Sequence, residues 1–427
     1  MLRKFTLSLF MMAASMPIIH AQSIKDTTET PKNSLTPAQK LIASSGEDLL
    51  TGGNAQNAQT VISGYGELTY QHDFGYKTST IDMARAVLFV GHQFSKKIAF
   101  FSELEVEHAK VEGGGSQGSI GMEQAYLKFS LNSRQYIVAG LFLPRLGILN
   151  ENHLPINFNG TERPLVEQLV IPATWREIGV AFYGQPSTLP LTYSIAIVSG
   201  LNATKFEHGS GLLHGRSEGQ LATGDNLALT ASLKAFTGNF QFQVSGYMGG
   251  TIGLGAYQAD SLGLQSGTFG SPIYLGEADI QYDHGGFSAK ALGTYISYPD
   301  ANAINQAYAN NTPEAMYGAY GELSYDLLHG IPVQKNKNRH LLAFIRYENL
   351  DLNAEIPVSG ITDPTLKQWH LVTGLNYFPL PNLVIKADVR ITHTGPQNKS
   401  LIINPPPVMQ PYQQSNQFLN IGLGYAF

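Results

Sequence analysis

From Val61 to the end of the chain, apolar and polar side chains alternate with a period of two, in runs of about ten residues separated by turns. Leu383, Ile385, Ala387, Val389 and Ile391 form one apolar series, and Lys386, Asp388, Arg390 and Thr392 fill the positions between them. The same rhythm sets Ala84, Ala86, Leu88 and Val90 against Arg85. It also sets Tyr274, Ala278, Ile280 and Tyr282 against Glu277, Asp279 and Gln281. A period of two puts the two series on opposite faces of a strand. Strands are predicted over 61–72, 81–93, 98–110, 120–131, 134–143, 174–184, 190–200, 226–236, 239–249, 272–283, 286–298, 314–328, 339–352, 367–378, 382–394 and 416–427.

The connections carry the next piece of information. After even-numbered strands they are mostly tight, as at Phe94-Ser95-Lys96-Lys97, Asn132-Ser133, Thr237-Gly238, His284-Gly285 and Pro379-Leu380-Pro381. After most odd-numbered strands they are long: 144–173, 201–225, 250–271, 299–313, 353–366 and 395–415. Short periplasmic turns alternating with long external loops are the pattern of an antiparallel outer-membrane barrel. The fold class expected is therefore all-β, an antiparallel transmembrane β-barrel of about sixteen strands with a long third external loop. In hydrocarbon every unpaired backbone N–H or C=O is costly, so a spanning sheet must close on itself. A cylinder of sixteen strands is too wide for side chains to fill, so water enters it.

Composition agrees. Charged residues make up 14%, against roughly 25% in soluble domains, yet the mean hydropathy is only −0.09. Strands with one lipid-facing and one water-facing side average out this way. A net charge of −5 gives no cue for nucleic acid, and the absence of cysteine removes disulfides and thiolate metal sites.

The N-terminus reads as an address. Arg3 and Lys4 precede an apolar stretch from Phe5 to Ile19, and Ile19-His20-Ala21 offers a small residue for cleavage. Residues 1–21 are expected to be a secretory signal peptide rather than a short buried helix. Residues 22–60 form an aromatic-free lead in which Thr36-Pro37 caps a short helix reaching Leu50. That lead is either a flexible periplasmic segment or a plug tucked into the lumen, and the barrel is expected over 61–427. At the other end, Leu423, Tyr425 and the terminal Phe427 share a face, which resembles the signal read by the barrel assembly machinery. Gly64-Tyr65-Gly66-Glu67-Leu68-Thr69-Tyr70 is echoed by Ala319-Tyr320-Gly321-Glu322-Leu323-Ser324-Tyr325, either an old hairpin duplication or chance within a limited alphabet.

Assigning the polar parity to the lumen gives the wall. Its acids are Glu67, Glu103, Glu105, Glu107, Glu277, Asp279, Glu322, Glu348 and Asp388. Its bases are Arg85, Lys128, Lys234, Lys290, Arg346, Lys386 and Arg390. The pore-lining set offered from these is Arg85, Glu103, Glu105, Glu107, Lys128, Arg346, Glu348, Lys386, Asp388 and Arg390. The plainer reading is that they hydrate the wall and pair across strands. Glu103, Glu105 and Glu107 face one side of one strand and repel unless something positive lies opposite. Arg85 and Lys128 on the flanking strands give a salt-bridged wall; the other reading is a cation-attracting stripe or Ca²⁺ site. No metal site or cofactor is assigned.

The third external loop is the longest and carries Arg145, Glu151, His153, Glu162, Arg163 and Glu167 among apolar Leu154, Ile156, Phe158, Leu165, Val166, Leu169 and Ile171. Loops of this length are commonly functional. It packs either on the inner wall, narrowing the pore, or outward as a cap or subunit contact. Arg145, Glu151, Glu162, Arg163 and Glu167 are the constriction-loop candidates.

Glu123-Gln124-Ala125-Tyr126-Leu127, Gly140-Leu141-Phe142, Arg176-Glu177-Ile178-Gly179-Val180, Arg346-Tyr347-Glu348 and Gly374-Leu375-Asn376-Tyr377 resemble segments of the phosphate-selective porin O and P family. The resemblance implies sixteen strands, a homotrimer and a third loop folded into the pore. Phosphate-selective members use an arginine ladder with lysines at the constriction. This chain has isolated arginines on a slightly acidic wall, so phosphate specificity is not carried over, and Arg145 and Arg163 alone are offered at the constriction.

The function expected is passive diffusion of small hydrophilic solutes or ions across the outer membrane of a Gram-negative bacterium, with membrane lipids around the barrel. The alternatives are a transporter for hydrophobic substrates, which needs an apolar lumen, and an adhesin-type barrel. An enzyme needs a nucleophile and a histidine held at one rim, and none of the twelve histidines lies in such a motif. The glycine runs at 113–115 and 249–255 open no expected helix and so read as external loop rather than phosphate cradle.

Overall fold

The computed structural model describes residues 59–108, 118–399 and 411–427. The expected signal peptide, the lead up to residue 58 and the glycine run at 113–115 lie outside the described residues.

The described chain forms a closed barrel in which each strand pairs antiparallel with its neighbours in sequence and β1 pairs with β16. The strands are β1 (Gln59–Asp73), β2 (Thr78–Ser95), β3 (Ile98–Glu107), β4 (Ser119–Asn132), β5 (Gln135–Phe142), β6 (Glu177–Gly184), β7 (Leu191–Ser199) and β8 (Leu227–Thr237). They continue as β9 (Phe240–Gly249), β10 (Ile273–His284), β11 (Phe287–Ser297), β12 (Ala315–Asp326), β13 (His340–Glu355), β14 (Lys367–Leu380), β15 (Leu383–Thr394) and β16 (Ser415–Ala426). All of the predicted strands are present, each within a few residues of its expected ends. Closure runs from Tyr65 opposite Ala426 to Asp73 opposite Phe418. Beyond that ladder, Gly64 N–H donates to Phe427 O at 3.1 Å and Phe427 N–H donates to Gly64 O at 2.9 Å.

The two faces differ as the alternation requires. Leu88, Val180, Ile197, Val244, Leu323, Ile345, Leu375, Ile385, Ile421 and Leu423 are exposed on the outside, while polar residues such as Glu177, Ser194, Gln243, Glu322, Arg346, Asn376, Asp388 and Asn420 on the same strands are buried inside. Exposed Phe240, Phe287 and Tyr325 lie near the tight-turn end, and exposed Tyr274 and Tyr295 near the long-loop end. Aromatic bands at both membrane interfaces are typical of such barrels.

Some connections depart from the expected pattern. The β12–β13 connection is not tight but contains a short helix, Pro332–Asn336. The glycine run 249–255 does precede a helix, contrary to expectation, although it is only the six-residue turn Ala256–Ser261. The echoed segments fall on β1 and β12, which cross the barrel in opposite directions. A duplicated hairpin would preserve direction, so the echo reflects the alphabet of inward and outward positions.

The strands β5 and β6 are only 8 residues long. β4 pairs with β5 only from Asn132 to Ala125 and continues beyond it to Ser119. The chain therefore leaves the wall part-way up after Phe142 and rejoins it at Glu177. This early release delivers the third loop into the lumen.

A lumen divided by the third loop

The third loop, residues 143–176, descends along the wall opposite its own strands. Leu154 and Ile156 join Tyr65, Val87, Phe378, Val384 and Ala426 in an apolar cluster near the turn end of β14–β16. The approach is close because the wall is bare there. A Cβ added at Gly424 would lie 2.8 Å from Pro155, and one at Gly422 would lie 2.7 Å from Thr161. The loop reverses at Gly160, whose φ of +79 favours glycine.

Between Phe158 and Val166 the loop is tied to five strands. Arg346 donates through Nη1 to Asn159 O at 2.9 Å and to Glu322 at 3.2 Å, and through Nε to Glu348 at 2.8 Å. Its Nη2 donates to Glu162 O at 3.2 Å. Asn159 donates to Glu322 at 2.8 Å and accepts from Asn376 at 2.7 Å. Lys386 Nζ donates to Phe158 O at 3.0 Å and sits 3.6 Å above the Phe158 ring. Thr161 N–H donates to Asp388 at 2.7 Å, and Val166 N–H to Glu348 at 3.1 Å. Glu162 pairs with Arg390 and accepts from Gln71 at 3.1 Å.

Sequence parity thus put Arg346, Glu348, Lys386, Asp388 and Arg390 on the correct face, but their surroundings differ from a hydrated wall. The first four are buried beneath the loop and bond to it, because backbone groups of an irregular segment at membrane depth need partners.

The glutamate stripe is also corrected. Arg85 Nε lies 3.3 Å from Glu67 and Nη1 3.7 Å from Glu105. Glu107 accepts from Ser119 at 2.9 Å. Glu103 accepts from Gln124 at 2.6 Å and faces His153 of the loop at 3.6 Å. Lys128 does not reach the stripe. It pairs in register with Ala99, nearer the turn end, and lies 4.4 Å from the Tyr136 ring centroid.

Sequence parity missed Glu123. Glu103 pairs with Gln124 and Leu104 with Met122, so Glu123 is an extra residue in β4 and turns inward beside Gln124. No alternation rule reveals a bulge of this kind. Its carboxylate accepts from Tyr65 OH at 3.3 Å and lies 3.6 Å from His153.

The remaining loop candidates are spread along its length. Arg145 donates to Glu151 at 2.7 Å and to Thr192 at 3.3 Å. Arg163 is buried and donates to His153 O at 3.4 Å. Glu167 accepts from Tyr320 OH at 2.6 Å and from Leu149 N–H at 2.7 Å. Burial pushes its carboxyl up to about 7, against the lowering effect of those two bonds. Towards the outside, Val166, Val170 and Trp175 merge with Leu201, Phe206, Leu212, Ile252, Leu264 and Ile304 of other external loops in one apolar cluster.

The other side of the lumen is different. The β8–β11 wall carries Lys234, Glu277, Asp279 and Lys290, and among the described residues Glu277 Oε1 and Asp279 Oδ2 have no hydrogen-bond partner. Below the start of the loop, near the turn end of β4–β7, lies a cleft of about 310 Å³ lined by Lys128, Tyr136, Arg145, Tyr183 and Thr192 among others.

A closed sixteen-strand barrel with an apolar exterior, a polar interior and an inward third loop is a barrel of the outer-membrane porin type. Solved structures of similar fold include Salmonella typhi OmpF in complex with daunomycin, with a TM-score of 0.52 and 11% identity over 86% of this chain and 97% of that one. An anion-selective porin from Comamonas acidovorans matches with a TM-score of 0.50 and 9% identity over 87% of this chain and 100% of the other. A loop L8 deletion mutant of OmpT, an outer membrane protein of Vibrio cholerae, matches with a TM-score of 0.50 and 10% identity, covering 88% and 100%. At these identities the likeness is one of fold. No protein-family model matches the chain. It belongs to the same family as a protein of Aquifex aeolicus (strain VF5) described as "Uncharacterized protein", with which it is 31% identical over 340 residues, 77% of this chain and 74% of that protein.

Proposed function

We propose that the protein is an outer-membrane porin that passes small hydrophilic solutes along the part of its lumen that the third loop leaves free. The observation that carries this reading is the division of the interior. Residues 158–166 of the loop are hydrogen-bonded to β12–β15 and β1, whereas on the β8–β11 wall Gln243 donates to Gly147 O, and among the described residues Lys234, Glu277, Asp279 and Lys290 form no hydrogen bond with the loop. A path from this wall to the cleft at Lys128 and Arg145 passes Lys234, Glu277, Asp279 and Lys290, groups of both signs. Such a path favours small polar solutes over apolar ones and has no ladder of arginines for phosphate.

The outer membrane of a Gram-negative cell is the site of action in this reading. Phe427 is presented to the barrel assembly machinery, and closure with Gly64 follows insertion. The short strands β5, β6 and β7, of 8, 8 and 9 residues, make the wall low on one side. A membrane-spanning strand needs about 9–11 residues, so a neighbouring copy in a homotrimer is the fitting cover there.

Liposome swelling with uncharged sugars of increasing size tests the proposal. Swelling that slows as the sugar grows is expected. Absence of swelling, together with uptake of fatty acids, supports a transporter for hydrophobic substrates instead.

A further inference from the structure

We propose that Glu103, Glu123 and His153 form a binding site for a divalent transition-metal cation of the zinc class, which clamps the third loop to β3 and β4.

One ligand atom from each residue lies within 4.8 Å of the others, and all three side chains are buried. His153 Nδ1 is 3.0 Å from Asn150 O. A carbonyl oxygen only accepts, so Nδ1 carries the proton and Nε2 of the neutral ring presents a lone pair. That lone pair faces Glu103 Oε1 and Glu123 Oε2, each at 3.6 Å. Three acceptors aimed at one another repel unless a positive charge lies between them.

A proton on Nε2 meets this need poorly. Both distances exceed hydrogen-bond length, and Nε2 and Glu123 Oε1 have no hydrogen-bond partner despite their burial. A metal meets it well. Bonds of about 2.0–2.2 Å to histidine nitrogen and carboxylate oxygen place tetrahedral ligands roughly 3.4 Å apart, close to the observed separations. The imidazole favours a zinc-like ion over Ca²⁺, which takes oxygen ligands.

The surroundings fit the same ion. Asn150 O fixes the ring orientation as an outer-shell acceptor, and Gln124 and Tyr65 donate to the two carboxylates. The Tyr65 ring meets His153 edge-on at 5.8 Å. Glu67, Glu105 and Glu107 lie in the same part of the lumen, with Arg85 and Arg163 beside them and Lys386 near Glu67. The bulge in β4 has a purpose in this account, since without it Glu123 would point to lipid.

The test uses the full mature chain without an affinity tag, folded in detergent, stripped with chelator and titrated with Zn²⁺ by calorimetry. One saturable equivalent per chain is expected in the wild type, weakened roughly tenfold or more in Glu123→Gln and His153→Gln. Heat-modifiable migration on gels verifies that each variant is a closed barrel, and Glu103→Gln replaces any variant that is not. Co²⁺ gives a second readout: a visible absorption band that Zn²⁺ removes. The proposal is overturned by the absence of saturable Zn²⁺ binding, by equal binding in wild type and folded variants, or by displacement of Zn²⁺ by equimolar Ca²⁺.

Discussion

Arg346 on β13 donates to the carbonyl oxygen of Asn159 at 2.9 Å, joining the barrel wall to the turn of the third loop. The same guanidinium holds Glu322 and Glu348, so wall and loop share one buried ion network. Removing one member of a buried pair costs about 3–5 kcal/mol. Arg346→Met is therefore expected to release the loop without opening the barrel. Hydrogen exchange should quicken at residues 158–166 and stay slow in β13–β15. Unchanged protection of that segment would show that the loop is held by its apolar contacts alone.

The bare wall at Gly424 makes a second prediction. A valine there has no room beside Pro155, and overpacking of this kind costs about 1–3 kcal/mol. Gly424→Val is expected to lower the thermal unfolding midpoint and to increase cleavage within the third loop by added protease. Gly276, where a Cβ meets nothing within 4 Å, serves as the control position.

The third prediction concerns pH. The Glu167 carboxyl titrates near 7 in the folded chain because of its burial, above the ordinary glutamate value of about 4.3. The folded form therefore holds its proton more tightly than the unfolded form. The stability it contributes is full below about pH 4 and is lost as pH rises through 7. Exchange at Leu149, whose N–H donates to Glu167, should report more frequent opening at pH 8.5 than at pH 5.5 after correction for intrinsic rates. Glu167→Gln should flatten that dependence; a variant with the wild-type profile would assign the effect to another group.

Closure gives a fourth. Phe427 exchanges two backbone hydrogen bonds with Gly64, and Gly64 has space only for hydrogen against the Phe427 ring. Deleting Phe427 should reduce the yield of heat-modifiable barrel in the outer membrane several-fold. A normal yield would detach the terminal aromatic from assembly.

Why the barrel was legible and its contents were not has a physical basis. Alternation of the kind seen in Leu383–Thr394 is imposed locally, because lipid and lumen lie on opposite sides of every strand. It marks Arg346, Lys386 and Asp388 as inward with no knowledge of their partners. What they touch depends on contacts more than 180 residues away along the chain, such as Lys386 with Phe158, and no period records them. The bulge at Glu123 breaks the rule that found the rest, so His153 and Glu103 could not be joined to it. One usable signal was present: Gly422 and Gly424 occupy inward positions on β16, where a hydrated wall has no need of bare backbone.

Single-channel recording in planar bilayers is the most direct measurement of the central claim, with the wild-type chain compared with one whose residues 152–163 are replaced by a short Gly-Ser link. If the proposed passage exists, steady ohmic steps are predicted from the wild type and larger ones from the shortened loop, since residues 158–166 occupy the lumen beside β12–β15. A bilayer that stays closed with both proteins would contradict the account.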